Sequence, residues 1–406
     1  MKKNLLWLLF PFSLVAGNLQ QLVELTHQNP MMQASRYSAE ASVLQKEALH
    51  ESYLPNIVLG GSHAYNTEET MTTPEKTTTG FAKLSYTLYD GGKREALNDA
   101  YEANLKSAHF LTNATANDLA LQVTYAYFYH FSLLSSQEAL EQKIEQLQAE
   151  FYRLERFLSV GSTTQDALLR IQASLEQTKV ELLQTQEAIA KNLNTLEYLT
   201  TQSIIPTQGS TLVVEENQKP LTKRYDILAQ EQSVLSAKAN AQSAKAPNRP
   251  TITLEDTYSR YDNDYATILG TNNQNTLSLN IQWKIFDFGA TSSSYEASYK
   301  NYLSKSSELA YTKQKATASL KNALNSYKTS LAKIESAKLR VKASDATYEL
   351  VKKKFQNGIV DNVAYLDALS EKYSAIASLS TAHNDIEYQK AIILYEMGQE
   401  IKGAIQ

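Results

Sequence analysis

Apolar residues recur in two rhythms along this chain, and each rhythm occurs twice. Leu277, Leu279, Ile281, Trp283 and Ile285 alternate with Ser278, Asn280, Gln282 and Lys284, the period of two that marks a two-faced strand. A weaker copy runs Ala82, Leu84, Tyr86 and Leu88 against Lys83, Ser85, Thr87 and Tyr89. Each is preceded by a candidate strand that follows a proline. Ile57, Leu59, Gly61, His63 and Tyr65 come after Pro55, and Ile252, Leu254 and Tyr258 after Pro250. Polar loops over 67–79 and 262–275 join the pairs. The pattern predicts two hairpins with strands of about ten residues, the length that crosses a bilayer when tilted. Half-buried hairpins on a soluble core carry the same pattern, but four strands make a poor core beside the helices that follow.

Those helices count in sevens. Leu133, Leu140, Leu147 and Leu154 are interleaved with Ile144, Phe151 and Leu158; later come Tyr327, Ile334, Val341, Tyr348 and Phe355. Two return helices follow suit, with Leu168, Leu175, Leu182, Ile189 and Leu196, then Leu379, Ile386 and Ile393. Strict sevens mark helices that supercoil on neighbours. The run from Asp90 to Ser159 has glycine only at its start, and about 65 residues at 1.5 Å rise reach roughly 100 Å. Asp90-Gly91-Gly92 and Asp287-Phe288-Gly289 supply a side-chain acceptor and a pliant backbone for strand-to-helix turns. Val160-Gly161-Ser162-Thr163 and Asn357-Gly358-Ile359-Val360 predict tight helix-to-helix turns at the far ends. There each glycine takes a left-handed conformation, and Ser162, Thr163 or Asp361 caps the next helix.

The two copies are 197 residues apart at every step, as in 287 − 90 = 197 and 289 − 92 = 197. Gly161 and Gly358, Ala167 and Ala364, Leu169 and Leu366, and Tyr198 and Tyr395 keep the same offset. Solenoid repeats are far shorter, roughly 20–50 residues. The predicted organisation is a leader at 1–17, a first repeat at 18–205, a linker at 206–222 and a second repeat at 223–406. Each repeat is a helix, a β-hairpin and a long helical hairpin.

The leader reads as a secretory signal: Met1-Lys2-Lys3, an apolar core from Leu5 to Val15, then Ala16-Gly17, where cleavage is expected. Beyond it no apolar run reaches 18 residues, so a membrane role requires β-structure. The chain has no cysteine, hence no disulfide and no acceptor for an N-terminal lipid anchor. A net charge of −4 offers no basic footprint for nucleic acid. His27, His50, His63, His109, His130 and His383 are scattered without metal-ligand spacing. Gly60-Gly61 and Gly91-Gly92 lack the lysine and hydroxyl of a phosphate loop. No nucleophile elbow occurs, so neither enzyme chemistry, metal nor cofactor is expected. Lys352-Lys353-Lys354 reads as a solvated face, or as a docking surface beside Gly358.

In Tyr53-Leu54-Pro55, Arg249-Pro250, Leu88-Tyr89-Asp90-Gly91-Gly92-Lys93-Arg94, Val160-Gly161 and Asn357-Gly358, the chain resembles the TolC-family outer-membrane factors. The resemblance rests on the order, duplication and spacing of these motifs. It implies a mainly α protein with a transmembrane β-barrel portion, assembled as a homotrimer. Four strands per chain would make a twelve-stranded barrel, and the helices a twelve-helix periplasmic α-barrel. Pro55, Asp90, Gly91, Gly92, Pro250, Asp287 and Gly289 would form the strand–helix junctions. The implied role is the exit duct of a tripartite efflux pump or type I secretion system, in a Gram-negative outer membrane and extending into the periplasm. A periplasmic adaptor would dock at Val160, Gly161, Ser162, Asn357, Gly358 and Ile359, and an RND- or ABC-type inner-membrane transporter would supply the energy. Leu279, Ile281 and Trp283 are expected to face outer-membrane lipid, with Asn280, Gln282 and Lys284 toward the lumen.

The family's closing latch does not carry over: its tyrosine position reads Phe355, its arginine Val360, and its first-tip partners Asp166 and Ala167. One aperture aspartate reads Ala364 and the other is kept as Asp367, so Asp367, with Asp166 and Asp361, is the candidate aperture set. With the chain ending at Gln406, any equatorial band is expected mostly from Thr200–Lys223. The alternatives are a periplasmic coiled-coil adaptor and a structural rod, neither with a channel of its own.

Overall fold

The computed structural model describes residues 15–68, 70, 74–214, 224–263 and 272–406. Most of the leader, the linker residues 215–223 and the tips of both hairpin loops lie outside the described residues. Two compact units are present, and each draws on both repeats. Their boundaries fall within the long helices, at Leu111 and at Thr312.

One unit takes Arg36–Leu111 and Asp226–Thr312. It contains a four-stranded antiparallel sheet ordered β2–β3–β5–β6, where β2 is Asn56–Tyr65, β3 Lys76–Asp90, β5 Thr251–Asn263 and β6 Asn273–Gln282. Both strands after a proline start at the next residue, as the sequence predicts. β3 and β5 run to 15 and 13 residues, so the joining loops are shorter than 67–79 and 262–275.

The other departure is at the end of β6. The alternation through Trp283 and Ile285 predicts a longer strand, yet pairing stops at Thr251↔Gln282. The next residue on the partner side is Pro250, which has no N–H to extend the ladder. The Trp283 indole N–H donates instead to the Asn248 carbonyl at 3.0 Å.

Cross-strand partners share a face. Ile57, Leu84 and Leu277 therefore stand together with Leu254, Leu279, Ile252 and Ile281, interrupted by Asp256. The opposite face is polar: Lys83 pairs with Glu255 at 2.7 Å, and Asn280 donates to Glu255 at 3.1 Å.

The same unit holds most of α2 (Pro30–Glu51) and α5 (Tyr225–Ser243) and the opening parts of two long helices, as far as Leu111 and Thr312. α3 is Lys93–Ser159 and α6 is Ala290–Gln356. Each has 67 residues, and both their starts and their ends differ by 197 (290 − 93 and 356 − 159). At 1.5 Å per residue each is roughly 100 Å long.

The second unit comprises the described chain up to Ser35, with Thr112–Tyr225 and Lys313–Gln406. It adds α1 (Leu19–Leu25), α4 (Gln165–Thr200) and α7 (Asn362–Glu396). Its heptad residues behave as the spacing predicts: Leu133, Leu147, Leu154, Leu175, Leu196, Ile334, Tyr348, Ile386 and Ile393 are all buried. One core joins the two helical hairpins through Leu147, Leu154, Ile171, Tyr348, Tyr365 and Leu369. A second gathers Leu19, Leu22, Val123, Tyr127, Leu199 and Leu394. His130 is a core histidine of this unit, and burial lowers its pKa.

The described part of the linker pairs with the end of the chain. Thr211 and Gln406 exchange backbone hydrogen bonds of 3.0 and 2.9 Å, and Val213 donates to Ala404 at 3.1 Å. Val15–Gly17 (β1) also pairs, in parallel, with Ile204–Pro206 (β4). Cleavage at Gly17 would remove this short strand.

Candidate functional site

Two sets of residues terminate the long helices, and no cluster of His, Cys, Asp and Glu that could hold a metal ion occurs among the described residues. The first set makes the strand–helix junctions. Asp90 accepts from the Arg94 N–H at 2.7 Å, four residues on, and Asp287 does the same for Thr291 at 2.9 Å. The Thr291 hydroxyl and amide hold the Asp287 carboxyl below the usual carboxylate range. Gly91, Gly92, Phe288 and Gly289 all have positive φ, between +54° and +88°. Arg249, just before Pro250 and β5, holds the first junction by donating to the Gly91 carbonyl at 3.1 Å.

The two junctions differ in tolerance. A Cβ on Gly91 would lie 2.6 Å from the Ala246 carbonyl oxygen, whereas one on Gly289 meets nothing within 4 Å. Gly91→Ala is expected to destabilise by about 2–3 kcal/mol, from strained φ plus a backbone clash, and Gly289→Ala by only about 1 kcal/mol. Thermal melts followed by far-UV circular dichroism would compare them; equal losses would contradict the packing at Gly91.

The second set makes the hairpin tips. Gly161 and Gly358 have φ of +73° and +70°. Gly161 N–H donates to Leu158 at 3.0 Å and Ser162 to Phe157 at 2.8 Å; Gly358 and Ile359 repeat this with Phe355 and Lys354 at 3.0 and 2.9 Å. Each glycine thus closes a left-handed helix end. Val160 and Ile359 project 72% and 69% exposed.

The caps are only partly as expected. Thr164, not Ser162 or Thr163, caps α4, accepting from Ala167 at 3.3 Å, because it alone precedes the first helical residue. Asp361 caps α7, accepting from Ala364 at 3.0 Å. Asp166 bonds Arg170 at 2.9 Å, and Asp367 is exposed on α7. Of the lysine run, Lys352 lies over the Tyr348 ring at 5.4 Å while Lys353 and Lys354 are solvated.

Behind the tips is a cluster that sequence reasoning missed. Arg153 makes a forked pair with Glu150 at 2.6–3.0 Å, and its guanidinium lies 4.9 Å from the Phe355 ring centre. Phe355 stacks on Tyr365 at 4.8 Å, and burial pushes the Tyr365 phenol well up. Asn362 completes the tie between hairpins by donating to the Ala167 carbonyl at 3.1 Å. Glu150 and Arg153, three apart and next to the heptad stripe, were the available signal.

A family model described as outer membrane efflux protein matches residues 22–202 and 218–395. The chain belongs to that family. Solved structures agree on the fold of this outer membrane efflux protein. CusC is 18% identical over 95% of this chain and 93% of its own, with a TM-score of 0.84. A membrane protein from Pseudomonas aeruginosa is 17% identical over 94% and 93%, at 0.85. The outer membrane protein VceC from Vibrio cholerae is 17% identical over 94% and 96%, at 0.84. No curated protein sequence matches the chain.

Proposed function

We propose that three copies of this chain form a passive duct through the outer membrane of a Gram-negative bacterium. It would serve a tripartite efflux pump or type I secretion system, without enzyme chemistry of its own. The observation that carries this is the two-faced sheet: β2 and β6 pair on one side only among the described residues, and one face gathers the aliphatic residues of its helix-proximal half, with Asp256 and Arg260 among its charged members. Open edges of equal length suit pairing between copies into a closed twelve-stranded barrel, which removes edges altogether. The 67-residue helices then continue as a periplasmic tunnel. An adaptor docks at Val160, Gly161, Ser162, Asn357, Gly358 and Ile359, and an RND- or ABC-type transporter drives export. With Asp361 engaged as a cap and Asp166 with Arg170, Asp367 is the carboxylate left to form a cation-attracting ring at the aperture.

Trp283 tests the membrane face, since Trp7 lies in the leader and leaves Trp283 the only other tryptophan. It is 59% exposed and held by Asn248 at the foot of the apolar face. A lipid-soluble quencher is expected to dim its fluorescence in reconstituted protein. Fluorescence indifferent to that quencher would put the lipid on the wrong face.

A further inference from the structure

The junction between β3 and α3 holds a cleft that the duct itself does not use. Its volume is about 490 Å³, and it lies within one unit, between the end of α2, the last residues of β3 and the first turns of α3. One wall is apolar and open. Leu54, Leu88 and Tyr89 are 54%, 48% and 41% exposed, so the described chain leaves them largely uncovered. The other wall carries Arg94 between two carboxylates, Asp90, which accepts from the Arg94 N–H at 2.7 Å, and Glu95. Arg94 donates to the Thr87 carbonyl at 2.8 Å and lies 4.3 Å from the Tyr53 ring centre, which holds its head at the rim with further fork donors to offer. Glu95 is exposed beside it and makes no hydrogen bond or ion pair among the described residues.

The position points to the occupant. A bulge between Thr87 and Tyr89 breaks the simple alternation of β3 and brings Tyr89 onto the face of Tyr86: the two pair with Ile252 and Leu254, which pair in turn with Ile281 and Leu279, so the apolar face reaches the cleft. Arg94 and Glu95 lie beyond the strand, on the helix. This geometry accepts an amphipathic molecule with its tail on the sheet and its head at the helix. A free phosphate would leave Leu54 and Leu88 bare, and a purely anionic headgroup would oppose both Asp90, already engaged with the Arg94 backbone, and the uncommitted Glu95. A headgroup with both a phosphate and an ammonium satisfies both charges.

The corresponding place in the second repeat gives an internal contrast. There a smaller cleft of about 360 Å³ is lined by Lys245, Arg249, Thr291 and Tyr295, with Lys245 lying 4.1 Å from the Tyr295 ring centre. The cation–ring pair is present, but neither a carboxylate nor an aliphatic wall lines it. Only the first junction has both.

We propose that this cleft binds a zwitterionic glycerophospholipid, with its phosphate on Arg94, its ammonium on Glu95 and an acyl chain over Leu54, Leu88 and Tyr86. The assignment rests on the reading of the sheet as a membrane barrel. Channel reconstituted in vesicles of equal phosphatidylethanolamine and phosphatidylglycerol, extracted and progressively delipidated, tests it by native mass spectrometry. Wild-type protein retains phosphatidylethanolamine preferentially. Glu95→Gln lowers that preference about tenfold, the worth of one charge-assisted contact. Leu54→Glu, at an exposed position, weakens retention of both lipids, and Arg94→Lys keeps more of it than Arg94→Ala. Equal retention of both lipids by wild type, a preference for phosphatidylglycerol, or no effect of Glu95→Gln overturns the proposal. Channel that fractionates with the outer membrane yet retains no phosphatidylethanolamine overturns the cleft alone; protein absent from that membrane overturns the barrel reading as well.

Discussion

Replacing Gly161 and Gly358 together by Trp is expected to abolish transport while leaving assembled protein in the membrane. Both glycines have φ near +70°, a region that costs a residue with a Cβ about 1 kcal/mol. A Cβ at either position meets nothing within 4 Å, so the new rings project outward instead of disturbing a core. The cores that hold the hairpins together lie back from the turns, at Leu154, Ile171, Tyr365 and Leu369, and are untouched. What changes is the surface formed by Val160, Ser162, Asn357 and Ile359, where an adaptor would seat. Drug susceptibility or secretion by complemented cells reads transport, and heat-modifiable migration reads assembly. Normal transport by the double variant would sink the docking role of the tips.

The second large effect is expected at Arg153. Glu150 is 8% exposed, and among the described residues Arg153 is the only cation bonded to it. Arg153→Met leaves that carboxylate poorly hydrated and unpaired and removes the cation from the Phe355 ring. Both partners keep some contact with water, so the loss is put at about 2 kcal/mol, below the range for a fully buried pair. Because Phe355 and Tyr365 belong to the second hairpin and Arg153 to the first, the tie between hairpins loosens and the resting conductance rises. Glu150→Gln in the Arg153→Met background is expected to recover part of the stability, since no charge is then stranded. A double variant as unstable as the sum of the two single variants would mean that the pair is not coupled. This cluster joins the two hairpins with its arginine on the first and its aromatic rings on the second.

Much of this was legible in the sequence for a physical reason. Periods of two and of seven survive without an alignment because burial on one face imposes them locally. They placed both hairpins and both 67-residue helices, and Gly161 and Gly358 marked the turns because a left-handed φ strongly favours glycine there. Ends were less legible. β6 stops at Gln282 although the alternation continues, because the missing N–H belongs to Pro250 on another strand. Thr164 rather than Ser162 or Thr163 caps α4, since the cap depends on where the turn leaves off. Contacts between distant segments were not legible at all. Gln406 against Thr211, and Arg153 against Phe355, join residues about two hundred positions apart that no local rhythm connects.

Electrical recording in a planar bilayer tests the duct most directly. Purified trimer is expected to give discrete single-channel steps with cation preference, and Asp367→Ala to weaken that preference by removing the ring of carboxylates. Protein that inserts as a trimer yet gives no conductance, even with Arg153→Met loosening the hairpins, would contradict the account.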